Sequence, residues 1–120
     1  MLKKDNVREH RIDMEVVVDA YGSDERAIGW YYYVSDNCNF SFKAKCINER
    51  RSSPLQLKDE VEVLDVSPAD ECEKEIFVDI NWNNRLLAVP LSQLEGIDTN
   101  AQTKVIIDDW HYWIARGYEF

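Results

Sequence analysis

The apolar positions of this chain change their period twice. From Val7 to Tyr21, the residues Ile12, Val16, Val17, Ala20 and Tyr21 recur near helical spacing and predict a helix. The β-branched run Val16-Val17-Val18 is also compatible with a strand, because such side chains lose rotamer freedom in a helix. Gly22 is expected to end this helix in the left-handed conformation, and Ser23 to cap the next one. Ala27, Trp30, Tyr31 and Val34 fall at i, i+3, i+4 and i+7, so Asp24 to Asn37 reads as a second helix. Asp24 and Glu25 sit in its first turn, where they meet the positive end of the dipole. With Asp19 they read as a capping group.

Between residues 39 and 97 the period falls to two. Phe40, Phe42, Ala44 and Cys46 alternate with Ser41, Lys43 and Lys45. The same alternation returns at Val61 and Val63, and at Ile76, Val78, Ile80 and Trp82. Strands are therefore expected near 40–47, 60–66, 75–82 and 85–90. Asn83-Asn84 reads as a two-residue hairpin turn, because Asn tolerates positive φ. Pro90 ends the fourth strand, and Ser92-Gln93-Leu94 fits a short helical turn. The helical period returns at 99–116. Thr99 to Gln102 fits a capping box, Ile106, Trp110, Trp113 and Ile114 line one face, and Gly117 is a terminator. The sum is one α+β domain over 1–120: a helical part at 1–38, a small curled sheet or barrel at 39–97, and a C-terminal helix. A lone sheet would leave exposed edges, so closure or helix cover is required.

Charge adds a direction. The chain of 120 residues carries a formal net charge of −9. Residues 1–60 hold ten Lys and Arg against eleven Asp and Glu, whereas residues 61–120 hold four against twelve. An acidic second half argues against nucleic acid and anionic membranes as partners, and favours cations or basic proteins. No apolar run approaches the roughly 20 residues needed to cross a bilayer. The polar N-terminus, Met-Leu-Lys-Lys-Asp, is unlike a signal peptide, so a cytoplasmic location is expected. The three cysteines, Cys38, Cys46 and Cys72, fit reduced thiols. They supply no C-x₂-C pair for zinc.

Candidate chemistry concentrates in Asp70-Glu71-Cys72-Glu73-Lys74-Glu75, four carboxylates ahead of an apolar strand. Hard oxygens at that density suit Ca²⁺, which takes about six to eight of them. In an extended segment, like-phase residues lie about 7 Å apart, so the side chains converge only if the chain turns; Pro68 is the signal for a turn. A second candidate is Ser35 to Asn39, which joins the Asp36 carboxylate and the Asn39 amide to the free carbonyls of a helix C-terminus. The EF-hand pattern is absent, as are the nucleophile elbow and the phosphate loop. Asp108 and His111 could pair at i, i+3, but no nucleophile accompanies them, and the chain is not read as an enzyme.

Gly29-Trp30-Tyr31-Tyr32-Tyr33, Val89 to Leu94, Asp109 to Trp113, and Asp70 to Glu73 ahead of Phe77-Val78 together resemble the small calcium-binding proteins of the CcbP type, known chiefly from cyanobacteria. The resemblance spans about Ile12 to Phe120. It implies a cytoplasmic Ca²⁺ buffer or signalling component that works without EF-hands. It implies metal ligands among Asp36, Asn39, Asp70, Glu71, Glu73 and Glu75, a monomer, and a regulatory protein as a further partner. The segment Lys58 to Leu94 is also similar to an SH3-like barrel, whose hallmark is a short helical turn before the closing strand. The alternative function is thus an interaction module for a basic or proline-rich segment.

Overall fold

A computed structural model describes residues 3–120. Its elements are α1 (Asn6–Glu15), α2 (Ser23–Asn37), β1 (Phe42–Cys46), β2 (Glu60–Val66), β3 (Phe77–Trp82), β4 (Arg85–Pro90), β5 (Leu94–Ile97) and α3 (Ala101–Ala115). Short 3-10 turns sit at Ala69–Glu71 and Leu91–Gln93. The five strands form one antiparallel sheet in the order β4-β3-β2-β1-β5. β4 and β5 are its two edges, so the sheet is not closed into a barrel. Cover comes from helices instead: α3 packs on β5 and the 91–93 turn, and α2 packs on β2 and α3. The 3-10 turn before β5 stands where the SH3-like reading requires one.

Period-two patterning carries through directly. Val61, Val63 and Val66 of β2 and Val78 and Ile80 of β3 enter the core. A bulge between Val63 and Asp65 shifts the β2–β3 register and brings Asp65 opposite Asp79. Asn83 and Asn84 take φ values of 51° and 63°, as a tight hairpin turn requires.

The helical boundaries differ from the sequence-based expectation in several places. α1 stops at Glu15. Val16-Val17-Val18 continues neither as helix nor as strand: Val16 turns inward, while Val18 remains exposed. Asp19, at φ 57°, takes the left-handed conformation expected of Gly22. Gly22 is extended at φ −138° and is itself the N-cap, so Ser23 lies inside the helix. Asn100, not Thr99, caps α3, its Oδ1 accepting from the Thr103 amide at 2.8 Å. Gln102 accordingly does not reach back; its amide donates to Asn37 Oδ1 at 3.3 Å. β5 was not foreseen as a strand, because its four residues include Glu95 and Gly96 and give too short an alternation to read.

Gly29 has a specific task in the middle of α2. A Cβ there would stand 2.2 Å from the carbonyl oxygen of Val16. Only glycine lets the α1–α2 turn press this closely onto the helix. At the far end, α3 closes in a Schellman motif: Gly117 (φ 82°) donates to Ile114 O and Tyr118 donates to Trp113 O. The accompanying apolar contact is between the Trp113 and Tyr118 rings, 5.0 Å apart.

The helical core is aromatic. Trp30 is packed edge-on to Trp110 and Tyr33, with centroids at 5.0 and 5.7 Å. The buried face of α3 is centred on Ile106, Ile107, Trp110, Tyr112 and Trp113, and Ile114 falls outside it, exposed. Under this core lies a buried ionic cluster. Asp109 is fully buried and accepts from Arg8 Nη1 (2.6 Å), Arg11 Nε (2.9 Å), Arg11 Nη2 (2.6 Å) and the Tyr33 hydroxyl (2.7 Å). Glu9 accepts from the hydroxyls of Tyr112 (2.6 Å) and Tyr118 (2.7 Å). These bonds tie α1, whose own apolar face buries only Ile12, onto α2 and α3.

Candidate metal site

Pro68 turns the chain out of β2, and the 3-10 turn Ala69–Glu71 follows. Cys72 anchors this loop from below. Its thiol is buried, lies 3.7 Å from both Ser67 O and Phe77 O, and accepts from the Phe77 amide at 3.4 Å. Burial pushes the thiol's pKa up, so Cys72 serves as a small apolar plug. With Cys72 pointing in, Asp70, Glu71 and Glu73 are turned to solvent.

The turn places this loop beside the first turn of α2. Asp24, Asp70 and Glu73 line one cavity of about 200 Å³, together with Ala27, Ile28 and Ala69. No Lys or Arg is in its wall, and the three carboxylates have no hydrogen-bond or ion-pair partner among the described residues. The sequence pattern marks Asp24 only as a capping residue. Its position four residues before Ile28 was visible, but which loop would lie against it was not. The N-terminal end of α2 presents partial positive charge to these acids, which makes their proximity tolerable without a counter-ion. Among the described residues, no three His, Cys, Asp or Glu side chains converge closely enough to grip a metal ion.

The remaining expected ligands go elsewhere. Glu75 is held by Arg50, with contacts of 2.6 and 3.2 Å. It faces a different cavity of about 470 Å³, which Glu73 and Glu119 share. Glu71 lines neither cavity. Asn39 donates its backbone N–H to Thr103 Oγ1 at 2.8 Å and borders a third cavity with Glu62, Asp98 and Asn100. Asp36 is exposed near the C-terminus of α2. Carbonyls there are partly taken: Val34 O accepts from Cys38 N, and Tyr33 O from the Asn37 amide. Asp36 and Asp24 are twelve residues apart on one helix, roughly 18 Å along its axis. One ion cannot take both.

Asp36 belongs to a separate grouping around Tyr31. Burial first, then the charges of Asp65 and, more weakly, Asp36, push the Tyr31 phenol above its usual pKa. Asp65 lies across the β2–β3 ladder from Asp79. Each is partly satisfied, Asp65 by the Val66 amide at 2.8 Å and Asp79 by the Ser67 hydroxyl at 2.7 Å. Cys38 is driven by burial to a pKa of about 12, which leaves its thiol protonated and a poor ligand. His111 and Asp108 do not pair: His111 Nε2 is 2.6 Å from Leu94 O, and Asp108 bonds Lys104 at 3.0 Å.

No helix among the described residues is long and apolar enough to cross a membrane. No curated protein sequence matches the chain. Two solved structures match closely. The crystal structure of Anabaena CcbP is 41% identical, with a TM-score of 0.89 over 99% of this chain and 98% of that one. A calcium-binding protein in its calcium-binding form is 40% identical, with a TM-score of 0.88 over the whole of both chains. The model of the CcbP family, described as calcium binding, matches residues 10–114, and this chain therefore belongs to the CcbP family of calcium-binding proteins.

Proposed function

We propose that the chain binds Ca²⁺ in the cytoplasm through Asp70 and Glu73 of the acidic loop together with Asp24 of α2. In this reading it serves as a calcium buffer or signalling component without catalysis. The observation that carries this is the cavity of about 200 Å³ into which those three carboxylates, and no cation, are gathered. The donor set fits the ion. Three carboxylates offer up to six hard oxygens, and backbone carbonyls and water complete the six to eight that Ca²⁺ takes. The loop and α2 must close on the ion, since the acids do not stand at ligating distance beforehand. A site completed by a surface loop folding onto a fixed helix tolerates irregular coordination, which favours Ca²⁺ over Mg²⁺, whose octahedron is tight.

Within this reading, Glu71 adds negative field, and Glu75 joins only by leaving Arg50. Asp36 and Asn39 would require ions of their own. A Ca²⁺ titration followed by amide NMR tests the reading. Saturable shifts should be largest in 23–28 and 69–75. Shifts confined to the Asp36–Asn39 segment, or none at all, would overturn it.

A further inference from the structure

The turn before α2 and the outer ridge of that helix leave an apolar strip open to solvent. Asp24, Ile28, Tyr32 and Asp36 follow one another at intervals of four and are all exposed, so they form one ridge with an acid at each end. Ile28 is 44% exposed and Tyr32 55%; Val18 and Tyr21 on the adjoining turn are 50% and 85% exposed. Alongside runs a groove of about 400 Å³. Val18, Ala20, Ile28 and the bare backbone of Gly29 form its apolar wall, and Asp19, Asp24 and Glu25 form its rim. No Lys or Arg lines it. Contiguous exposed apolar surface with a polar rim is the usual mark of an interaction site.

Charge selects the occupant. A second copy of this chain would bring a net charge of −9 and the same acidic rim against this one. An anionic lipid surface would be repelled in the same way. A segment with one apolar face and flanking Lys or Arg meets both features at once, and a helix with a repeat of three to four residues matches the spacing of the ridge. We propose that this face docks a basic amphipathic helix of another protein, and that Ca²⁺ opposes the docking.

The second half rests on the calcium reading above. Asp24 and Ile28 line both this groove and the acidic cavity. An ion held there cancels the charge that attracts the basic helix and draws Asp24 toward the 70–73 loop. By linkage, the partner weakens Ca²⁺ binding by the same factor.

The test uses the full chain and a dye-labelled Leu/Lys peptide designed as an amphipathic helix, with a scrambled peptide of equal composition as control. In chelator, anisotropy should show saturable binding that is at least tenfold weaker for the scrambled peptide. The variant Val18→Ser/Tyr32→Ser alters only exposed positions outside the acidic cavity. It should melt like the parent, keep its Ca²⁺ heat, and lose at least tenfold in peptide affinity. Saturating Ca²⁺ should weaken peptide binding to the parent several-fold. Equal binding of the scrambled peptide, parent-like binding by the variant, or a dimer closed through this face would overturn the docking. If calorimetry detects Ca²⁺ but the peptide affinity ignores it, the opposition fails and the calcium reading stands. If calorimetry detects no Ca²⁺ while the peptide still discriminates, the calcium reading fails and the docking stands.

Discussion

Two acidic regions of this molecule have opposite fates. Asp109 lies fully buried with two guanidiniums and a phenol around it, and four short hydrogen bonds account for its oxygens. Asp24, Asp70 and Glu73 face a cavity that offers them no cation. The first carboxylate is satisfied by the fold and holds three helices together. The second set has no cationic partner among the described residues. Acidity alone therefore does not mark a ligand; the proposal for the second set rests on its lack of a partner and its shared cavity.

The sharpest way to break the comparison is to remove the satisfied member. Asp109→Ala leaves two arginines and a buried hydroxyl without their acceptor. Loss of one side of a buried ion pair costs about 3–5 kcal/mol. The arginines are each about a quarter exposed, which places the expected loss near the lower figure, about 3 kcal/mol. Urea unfolding measures it. By contrast, Asp24→Asn/Asp70→Asn/Glu73→Gln should change the stability of the chelated protein by less than about 1 kcal/mol, because the repulsion relieved is offset by the helix-dipole interaction that Asp24 gives up.

The next effect is of similar size but belongs only to the unsatisfied set. Ca²⁺ at about 100 times Kd should stabilise the parent by about 2.7 kcal/mol, a rise in Tm of roughly 10 °C. The triple variant should show none of it. Equal melting of the parent in chelator and in millimolar Ca²⁺ would contradict the account.

A smaller effect separates the regions by pH. Burial pushes the Glu9 carboxyl up, but hydrogen bonds from Tyr112 and Tyr118 outweigh it and hold its pKa below the usual range. A carboxylate with a lowered folded pKa contributes stability above its unfolded pKa and loses it as pH falls through the folded value. Glu9→Gln should therefore flatten the acid limb of the stability curve below about pH 4.5 and leave Ca²⁺ heat at neutral pH unchanged. Smallest of all is Arg50→Ala. The Arg50–Glu75 pair is partly exposed, so its loss should cost less than about 1 kcal/mol. It should raise Ca²⁺ affinity only if the freed Glu75 swings toward the loop.

What was legible in the sequence follows the same division between local and distant causes. β2, the Asn83-Asn84 turn and the Gly117 terminator are dictated by neighbours along the chain, and each stands where its pattern places it. The end of α1, the cap of α3 and the strand β5 were displaced or missed, because each depends on packing against a remote element. Gly29 answers to the Val16 carbonyl pressed against it from outside the helix, a contact that no local pattern signals. At the candidate site, the acidic loop and its turn at Pro68 were legible. The partnership with Asp24, some 46 residues away, was not, nor was the Arg50 grip on Glu75. Asp109 gave no local sign that it would be buried, since its partners Arg8 and Arg11 lie near the other end of the chain.

Calorimetric titration of Ca²⁺ into the parent and into Asp24→Asn/Asp70→Asn/Glu73→Gln is the most direct test. A saturable heat in the parent that vanishes in the variant, with both proteins folded by circular dichroism, is the predicted result. Equal heats and affinities in the two would contradict the assignment of these three carboxylates to the ion.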